Sequence, residues 1–374
     1  MYWKKFNNFH RNNILVKIKV ISLIFVLLAS KICHAFSDIS DTENYIFSLA
    51  KEVKEKKYIN GGKFLPYGDM LVLAKEGDQA AQIIVAYLLY KGEGVQRNLN
   101  KSFGWLKIIA DDGNASMQNH IGELYEQGIM IEKDLRLAAK YFSLAAEKGN
   151  DDAQYKLGMW YLSGKYYGKD IKAAKKWFIR SASQNNALAV NQLIKVFYDE
   201  HNYQELLKWV RKGVSLQIPN SLYVMSVFYR NGFSSVEVNI ANANELLVKS
   251  AELGYAKAQY QLGIYYKEGV FFEKILERAF FWFTKSANQG YADSKLEIGL
   301  MYFDGEYLKQ DYKKAILLFE EAASQENVDA YGLLAMAYID PELEIHDIEK
   351  AKYWMKKAAD AGHPVAKKLV KEYE

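Results

Sequence analysis

His120, His201, His346 and His363 are the residues best suited to metal or acid–base chemistry once the first 35 positions are set aside. They are widely separated, with no HExxH motif and no expected pair of His and carboxylate at helical ligand spacing, so they do not gather ligands on one helix face. The run PELEIHDIEK, Pro341 to Lys350, carries acidic groups that could chelate a cation weakly. It reads instead as a solvated loop whose Asp347 begins a helix. GKYYGKD, Gly164 to Asp170, has the glycines and lysines of a phosphate loop but neither its spacing nor its Ser or Thr, and reads as an interhelical loop. Cys33 is the only cysteine, which leaves no thiolate or disulfide chemistry after residue 35. The expectation is a protein with no catalytic, metal or cofactor residues, hence not an enzyme.

What the chain has in quantity is aromatic side chains, with 28 tyrosines and 7 tryptophans in 374 residues. Aromatics and arginine are the types favoured at protein interfaces. Tyr87, Tyr90, Tyr155, Met159, Tyr198, Tyr223, Arg230, Tyr260, Lys267 and Phe303 fall at equivalent places in a repeat and are the partner-binding candidates. A second candidate is the loop VFFEKILER, Val270 to Arg278, where Phe271 and Phe272 replace polar loop residues.

A repeat of helix pairs is what would position these residues. Gly77, Gly113, Gly149, Asn185, Gln217, Gly254, Gly290, Glu326 and Gly362 follow one another at 36, 36, 36, 32, 37, 36, 36 and 36 residues. A period this regular indicates a solenoid in which each unit contacts its neighbours. Past each of these anchors an aliphatic at eight and an aromatic at twelve, as Leu157 and Tyr161, put an i, i+4 stripe on helix A. A small residue at nine, as Gly122, Gly158, Gly263 and Gly299, implies close packing there, since mid-helix glycine otherwise costs up to about 1 kcal/mol. Helix A ends at a further glycine, such as Gly164, and helix B begins at an Asn or Asp, such as Asp170. The expected core residue of helix B is the aromatic seven further on, as Trp177. Both irregular spacings, four residues short in the fourth unit and one long in the fifth, fall in the loop between helices. The near-identical segments AQYKLGMWYLSG, from Ala153, and AQYQLGIYYKEG, from Ala258, are then helix A of the third and sixth units. The fourth unit, with Ile194 for the small residue, is the expected weak seam of the array.

The pattern AxxxLGxxYxxG, an acidic cap, then WFxxSA or YFxLAA, resembles the Sel-one-like repeat family, relatives of tetratricopeptide hairpins, over about residues 74 to 366. YKGEGV, Tyr90 to Val95, is similar to that family's loop. Glu200 and Pro341 for the loop glycine and Ile275 for the Asp cap depart from it. The resemblance implies non-catalytic scaffolds that serve envelope assembly, signalling or host contact in bacteria, and protein quality control in eukaryotes. By analogy with related solenoids, the ten interface candidates would line a concave helix A face.

The first 35 residues differ from the rest. Lys4, Lys5, Arg11, Lys17 and Lys19 precede the apolar run Val20 to Ser30, and KICHA ends at Ala35, with no acidic residue. This is the form of a secretory signal cleaved before Phe36. The apolar run is about half of the roughly 20 residues a span requires, and Lys31 and Ile32 before Cys33 do not suit a lipobox. Retention as an N-terminal anchor is the alternative. Cleavage would remove six of 49 cationic and none of 45 acidic residues, taking the net charge from +4 to −2 and with it the main argument for nucleic acid.

The sequence thus predicts an all-α superhelical solenoid of about eight 36-residue helix pairs: signal 1–35, helical cap 36–76, repeats 77–361 and a capping helix 362–374. Its predicted role is binding a partner protein in the bacterial periplasm or outside the cell, with no cofactor and no membrane span after cleavage. An envelope enzyme acting on cell-wall material and a eukaryotic secretory-pathway adaptor are the alternatives.

Overall fold

The computed structural model describes residues 48, 50, 58–60, 63–363, 366 and 367. The expected signal and its cleavage site, much of the 36–76 cap and most of 362–374 lie outside the described residues. Seventeen helices are described. α1 (Tyr67–Lys75) follows two antiparallel two-residue strands, Ile59–Asn60 and Lys63–Phe64. Eight helix pairs then follow in chain order. They are α2 (Gln79–Lys91) with α3 (Leu99–Asp111), α4 (Ala115–Gln127) with α5 (Leu135–Glu147), α6 (Asp151–Ser163) with α7 (Ile171–Ser183), and α8 (Ala187–Asp199) with α9 (Tyr203–Ser215). The rest are α10 (Pro219–Asn231) with α11 (Ile240–Glu252), α12 (Ala256–Glu268) with α13 (Leu276–Ala287), α14 (Ala292–Asp304) with α15 (Tyr312–Ala323), and α16 (Val328–Ile339) with α17 (Ile348–Asp360). This is an all-α helical repeat fold. The chain divides into two compact units between Trp209 and Val210, within α9 of the fourth repeat.

Local chemistry sets the helix ends. Asn150 accepts from the Ala153 amide to start α6, and Gly164 closes it in the left-handed region at φ 72°. Asp170 does the same for the Ala173 amide at the start of α7. Ile275, which has no acceptor, starts α13 without a side-chain cap. One backbone bond closes every loop between helix A and helix B: the cap amide reaches back to the helix A carbonyl at Leu89, Tyr125, Tyr161, Phe197, Tyr229, Tyr266, Tyr302 or Tyr338. From Asp170 to Tyr161 this spans nine residues, from Asn202 to Phe197 five, and from Asn239 to Tyr229 ten. The four missing residues and the extra one therefore lie inside this closed loop, and the helices stay in phase.

The packing rule inside a pair is a large side chain against a small one. A Cβ placed on Gly122, Gly158, Gly263 or Gly299 would lie 2.7, 2.5, 2.6 or 2.6 Å from the ring of Phe142, Phe178, Phe283 or Phe319, the residue 20 positions on in helix B. Those four rings are fully buried. The glycine is thus room for a phenylalanine. Where the phenylalanine position holds Leu106, Leu247 or Met355, the helix A position holds Ala86, Ser226 or Ala335. In the fourth repeat the sequence has the larger residue on helix A, Ile194, and the smaller one, Val210, on helix B. Trp177, the residue expected in the core, is only half-buried, and the next residue, Phe178, occupies the core instead.

In four of the eight repeats a glutamine ties helix A to the helix before it. Gln82, Gln118, Gln154 and Gln259 donate to the carbonyls of Ala74, Ala110, Ala146 and Ala251 at 2.9 to 3.2 Å, a second bond to acceptors that also take the amide of the following glycine. α1, which supplies Ala74, thereby stands to the first repeat as a helix B.

Candidate partner-binding surfaces

The residues considered first for chemistry are placed as packing or loop groups. His120 is buried with Nδ1 3.7 Å from Glu123, and the sequence reading passed over that pair. His363 is buried, and its Nδ1 accepts from the Ala366 amide. His201 is an exposed loop residue in the left-handed region. Asp347 accepts from the Lys350 amide at the start of α17. In the loop Gly164 to Asp170, Tyr167 stacks on Tyr161 at 4.5 Å and Lys165 pairs with Glu126 at 2.6 Å. Among the described residues no cluster of three or more His, Cys, Asp or Glu is arranged to hold a metal ion, and no helix is long and apolar enough to cross a membrane.

The ten helix A candidates do not form one open face. Tyr87, Tyr90, Tyr155, Tyr223 and Phe303 are buried, with Tyr223 only 1% exposed. Met159, Tyr198, Arg230, Tyr260 and Lys267 are half-buried. The tyrosines six past the anchor pack: Tyr155 and Tyr260 lie against Phe178 and Phe283 at the same 6.0 Å in the two near-identical repeats. Burial pushes the Tyr155, Tyr223 and Tyr260 hydroxyls above their ordinary pKa. The open groove expected at Tyr87, Tyr90, Tyr155, Tyr223 and Phe303 is therefore replaced by packed contacts. The physical reason is that helix A is covered on most sides, as in α2, where every residue from Ile84 to Tyr90 is buried.

Charged groups enter helix A in pairs from adjacent repeats. Position 13 of one repeat meets position 7 of the next: Glu126 with Lys156 at 3.4 Å, and Lys267 with Glu297 at 2.8 Å. Burial would raise the Glu126 carboxyl, but Lys156, Lys165 and a hydrogen bond from the Trp160 indole hold it below its usual range. Partial burial of Lys267 favours its neutral form, yet Glu297 outweighs that and raises its pKa. Lys257 is different. Its Nζ is buried with no hydrogen-bond partner among the described residues, 5.6 Å from the Tyr223 ring centroid. Burial lowers its pKa to about 8, against an opposing attraction to Asp293.

Exposed apolar side chains lie in the second candidate loop, where Val270 and Phe271 are 40% and 43% exposed, and on helix B, which the sequence reading did not single out. Two residues before the core phenylalanine, about 200° round the helix from it, the side chain faces solvent. In the sixth, seventh and eighth repeats that position holds Phe281, Leu317 and Tyr353, which are 49%, 57% and 52% exposed. The first five repeats hold Gly104, Lys140, Lys176, Lys208 and Glu245 there. Lys285 lies over the Phe281 ring at 4.7 Å and Lys357 over Tyr353 at 5.3 Å. Three exposed apolar residues in one repeated column form a line rather than the scattered single exposures that are normal. The signal was available in the sequence as a change of type down one column.

The Sel1 repeat family model matches residues 79–114, 115–150, 151–186, 219–255, 256–291, 292–327 and 328–363. It does not match 187–218, the shortened fourth repeat. A solved structure of a protective antigen from uropathogenic Escherichia coli strains, displaying an SLR fold, is 24% identical, with a TM-score of 0.67 over 89% of this chain and 71% of that one. A Sel1 repeat protein from Oxalobacter formigenes is 23% identical, with a TM-score of 0.59 over 88% of this chain and 93% of that one. At these identities the likeness is one of fold. No curated protein matches.

Proposed function

The chain belongs to the Sel1 repeat family, whose members generally mediate protein–protein interaction and are typically non-catalytic, and we propose from that premise that it is an exported, non-catalytic scaffold holding a partner protein on the helix B line of its last three repeats. The observation that carries the reading is the column itself, Phe281, Leu317 and Tyr353 exposed where earlier repeats place lysine, glutamate or glycine. Stacked repeats present such a column as a continuous strip, which a partner segment can follow. Lys285 and Lys357 border it, so the partner fitting it brings apolar side chains flanked by acidic ones. The half-buried helix A residues Met159, Tyr198 and Tyr260 contribute less, because most of their surface is already used in packing.

The test is to replace Phe281, Leu317 and Tyr353 by lysine, the residue found at that position in repeats two to four. Loss of aromatic and aliphatic anchors should weaken partner binding at least thirtyfold. Alanine at Lys140, Lys176 and Lys208 should leave it unchanged. Partner binding by the triple lysine variant at wild-type strength would end the proposal.

The site of action we propose is the bacterial envelope or the host interface, on the basis of the basic and apolar leader ending at Ala35. The intact mass of the protein from the cell that makes it should correspond to a chain beginning at Phe36. Uncleaved chain in the membrane fraction would establish an N-terminal anchor instead.

A further inference from the structure

Of the three charged residues at position 13 of a helix A, Glu126, Arg230 and Lys267, only Arg230 meets no opposite charge at position 7 of the next repeat. It stands at position 13 of the fifth repeat, the place of Glu126 and Lys267, each of which meets an opposite charge at position 7 of the following repeat. The corresponding residue facing Arg230 is neutral, Gln261. The guanidinium is nevertheless held firmly. It lies 4.7 Å from the Tyr265 ring centroid and 4.1 Å from that of Phe271, and one of its nitrogens, Nη2, donates to Asn244 at 2.8 Å. Nη1 is buried and has no hydrogen-bond partner among the described residues. Burial lowers the Arg230 pKa, and the groups that act against it are the tyrosines 265 and 223, not a carboxylate.

A largely desolvated cation without a counter-charge costs stability. The two rings meet edge to face, 5.1 Å apart, and hold the guanidinium in the corner between them while Nη1 stays unused, an arrangement suited to a planar oxyanion. Tyr223, Ser226, Gln261 and Tyr265 line a small recess against Arg230, between α10 and α12. At the two equivalent junctions the chain itself supplies the anion as a glutamate, Glu126 and Glu297. We infer that Arg230 is a binding site for an external carboxylate, the counter-charge the chain omits at this one junction. The inference is independent of the helix B line, which lies on other residues.

The probes are three short peptides: acetyl-Ala-Leu-Glu-amide, acetyl-Ala-Leu-Leu with a free C-terminal carboxylate, and acetyl-Ala-Leu-Gln-amide. The readout is the side-chain N–H resonance of Arg230 in the ¹⁵N-labelled full chain. At least one carboxylate peptide should shift it saturably, and the glutamine peptide should not. A response to the first marks an acidic side chain as the ligand, and a response to the second a chain terminus. Gln261→Glu rebuilds the missing internal pair, so it should raise the melting temperature and weaken the carboxylate peptide by about tenfold or more. No saturation by either carboxylate below about 10 mM, an equal shift with the neutral peptide, or wild-type binding by Gln261→Glu would each overturn the assignment. Because Gln261→Glu is expected to fold better than the wild type, lost binding in that variant cannot be laid to unfolding.

Discussion

Repeats two and three and repeats six and seven share a glycine-against-phenylalanine interior and differ on the outside. Gly158 makes room for Phe178 in the third repeat and Gly263 for Phe283 in the sixth, with Cβ clearances of 2.5 and 2.6 Å. Yet the solvent-facing position two residues before those rings is Lys176 in one and Phe281 in the other. The interior is set by a local size rule that every pair must satisfy. The outer column is under no such constraint, so a change of type there calls for an explanation outside the fold.

The largest effects should come from breaking the shared interior, and they should be equal in both regions. Gly158→Leu and Gly263→Leu should each cost about 3 kcal/mol in denaturant titration, because neither the helix backbone nor the buried ring can retreat far. A cost below about 0.5 kcal/mol would mean the glycines are incidental. Gly158→Ile combined with Phe178→Val copies the reversed order of the fourth repeat, Ile194 and Val210, and should recover at least about half of the loss. Strict additivity of the two single changes would show that bulk is not exchanged between these positions.

A smaller effect, confined to the second region, follows from Lys257. Its folded pKa of about 8 lies below that of an unfolded chain's lysine, so the charged form is penalised in the fold. That penalty is fully present below pH 8 and is relieved as pH rises from there towards the ordinary lysine value of about 10.4, by at most about 1.4 kcal/mol per pH unit. Lys257→Met should therefore be more stable than the wild type at pH 7, and the difference should shrink towards pH 10. A difference that is constant across this range would place the lysine head in solvent.

The smallest effect is expected at the outer column itself. Phe281→Lys, Leu317→Lys and Tyr353→Lys should each change stability by about 0.5 kcal/mol or less, as exposed positions do. Larger losses would make this column packing, and the contrast between regions would lose its meaning.

Much of the fold was legible because loops and caps are local. The anchors at Gly149 and Gly254, the cap at Asp170 and the placement of both length changes between helices follow from residue type and spacing, and the bonds from Asn202 to Phe197 and from Asn239 to Tyr229 show the mechanism. What the sequence hid was which columns are open. Helix B is amphipathic, with Ala174, Phe178, Ser181 and Ala182 buried at helical spacing, so its outer face can be read. Helix A is enclosed nearly all round, so Tyr90 and Tyr223 look like interface residues while lying in the core. Trp177 misled for a related reason: the larger ring at the next position round the helix is half-exposed, and the smaller Phe178 fits over Gly158. The fourth repeat, where the family model does not match and the two compact units divide, is also where the size rule is reversed.

The most direct test of the claim that repeats six to eight carry the interface is hydroxyl-radical footprinting of the free protein and of its partner complex. Labelling of Phe281, Leu317 and Tyr353, all about half exposed in the free chain, should fall several-fold on binding, while Lys140, Lys176 and Lys208 label as before. Unchanged labelling at those three residues, with protection appearing in repeats two to four, would contradict it.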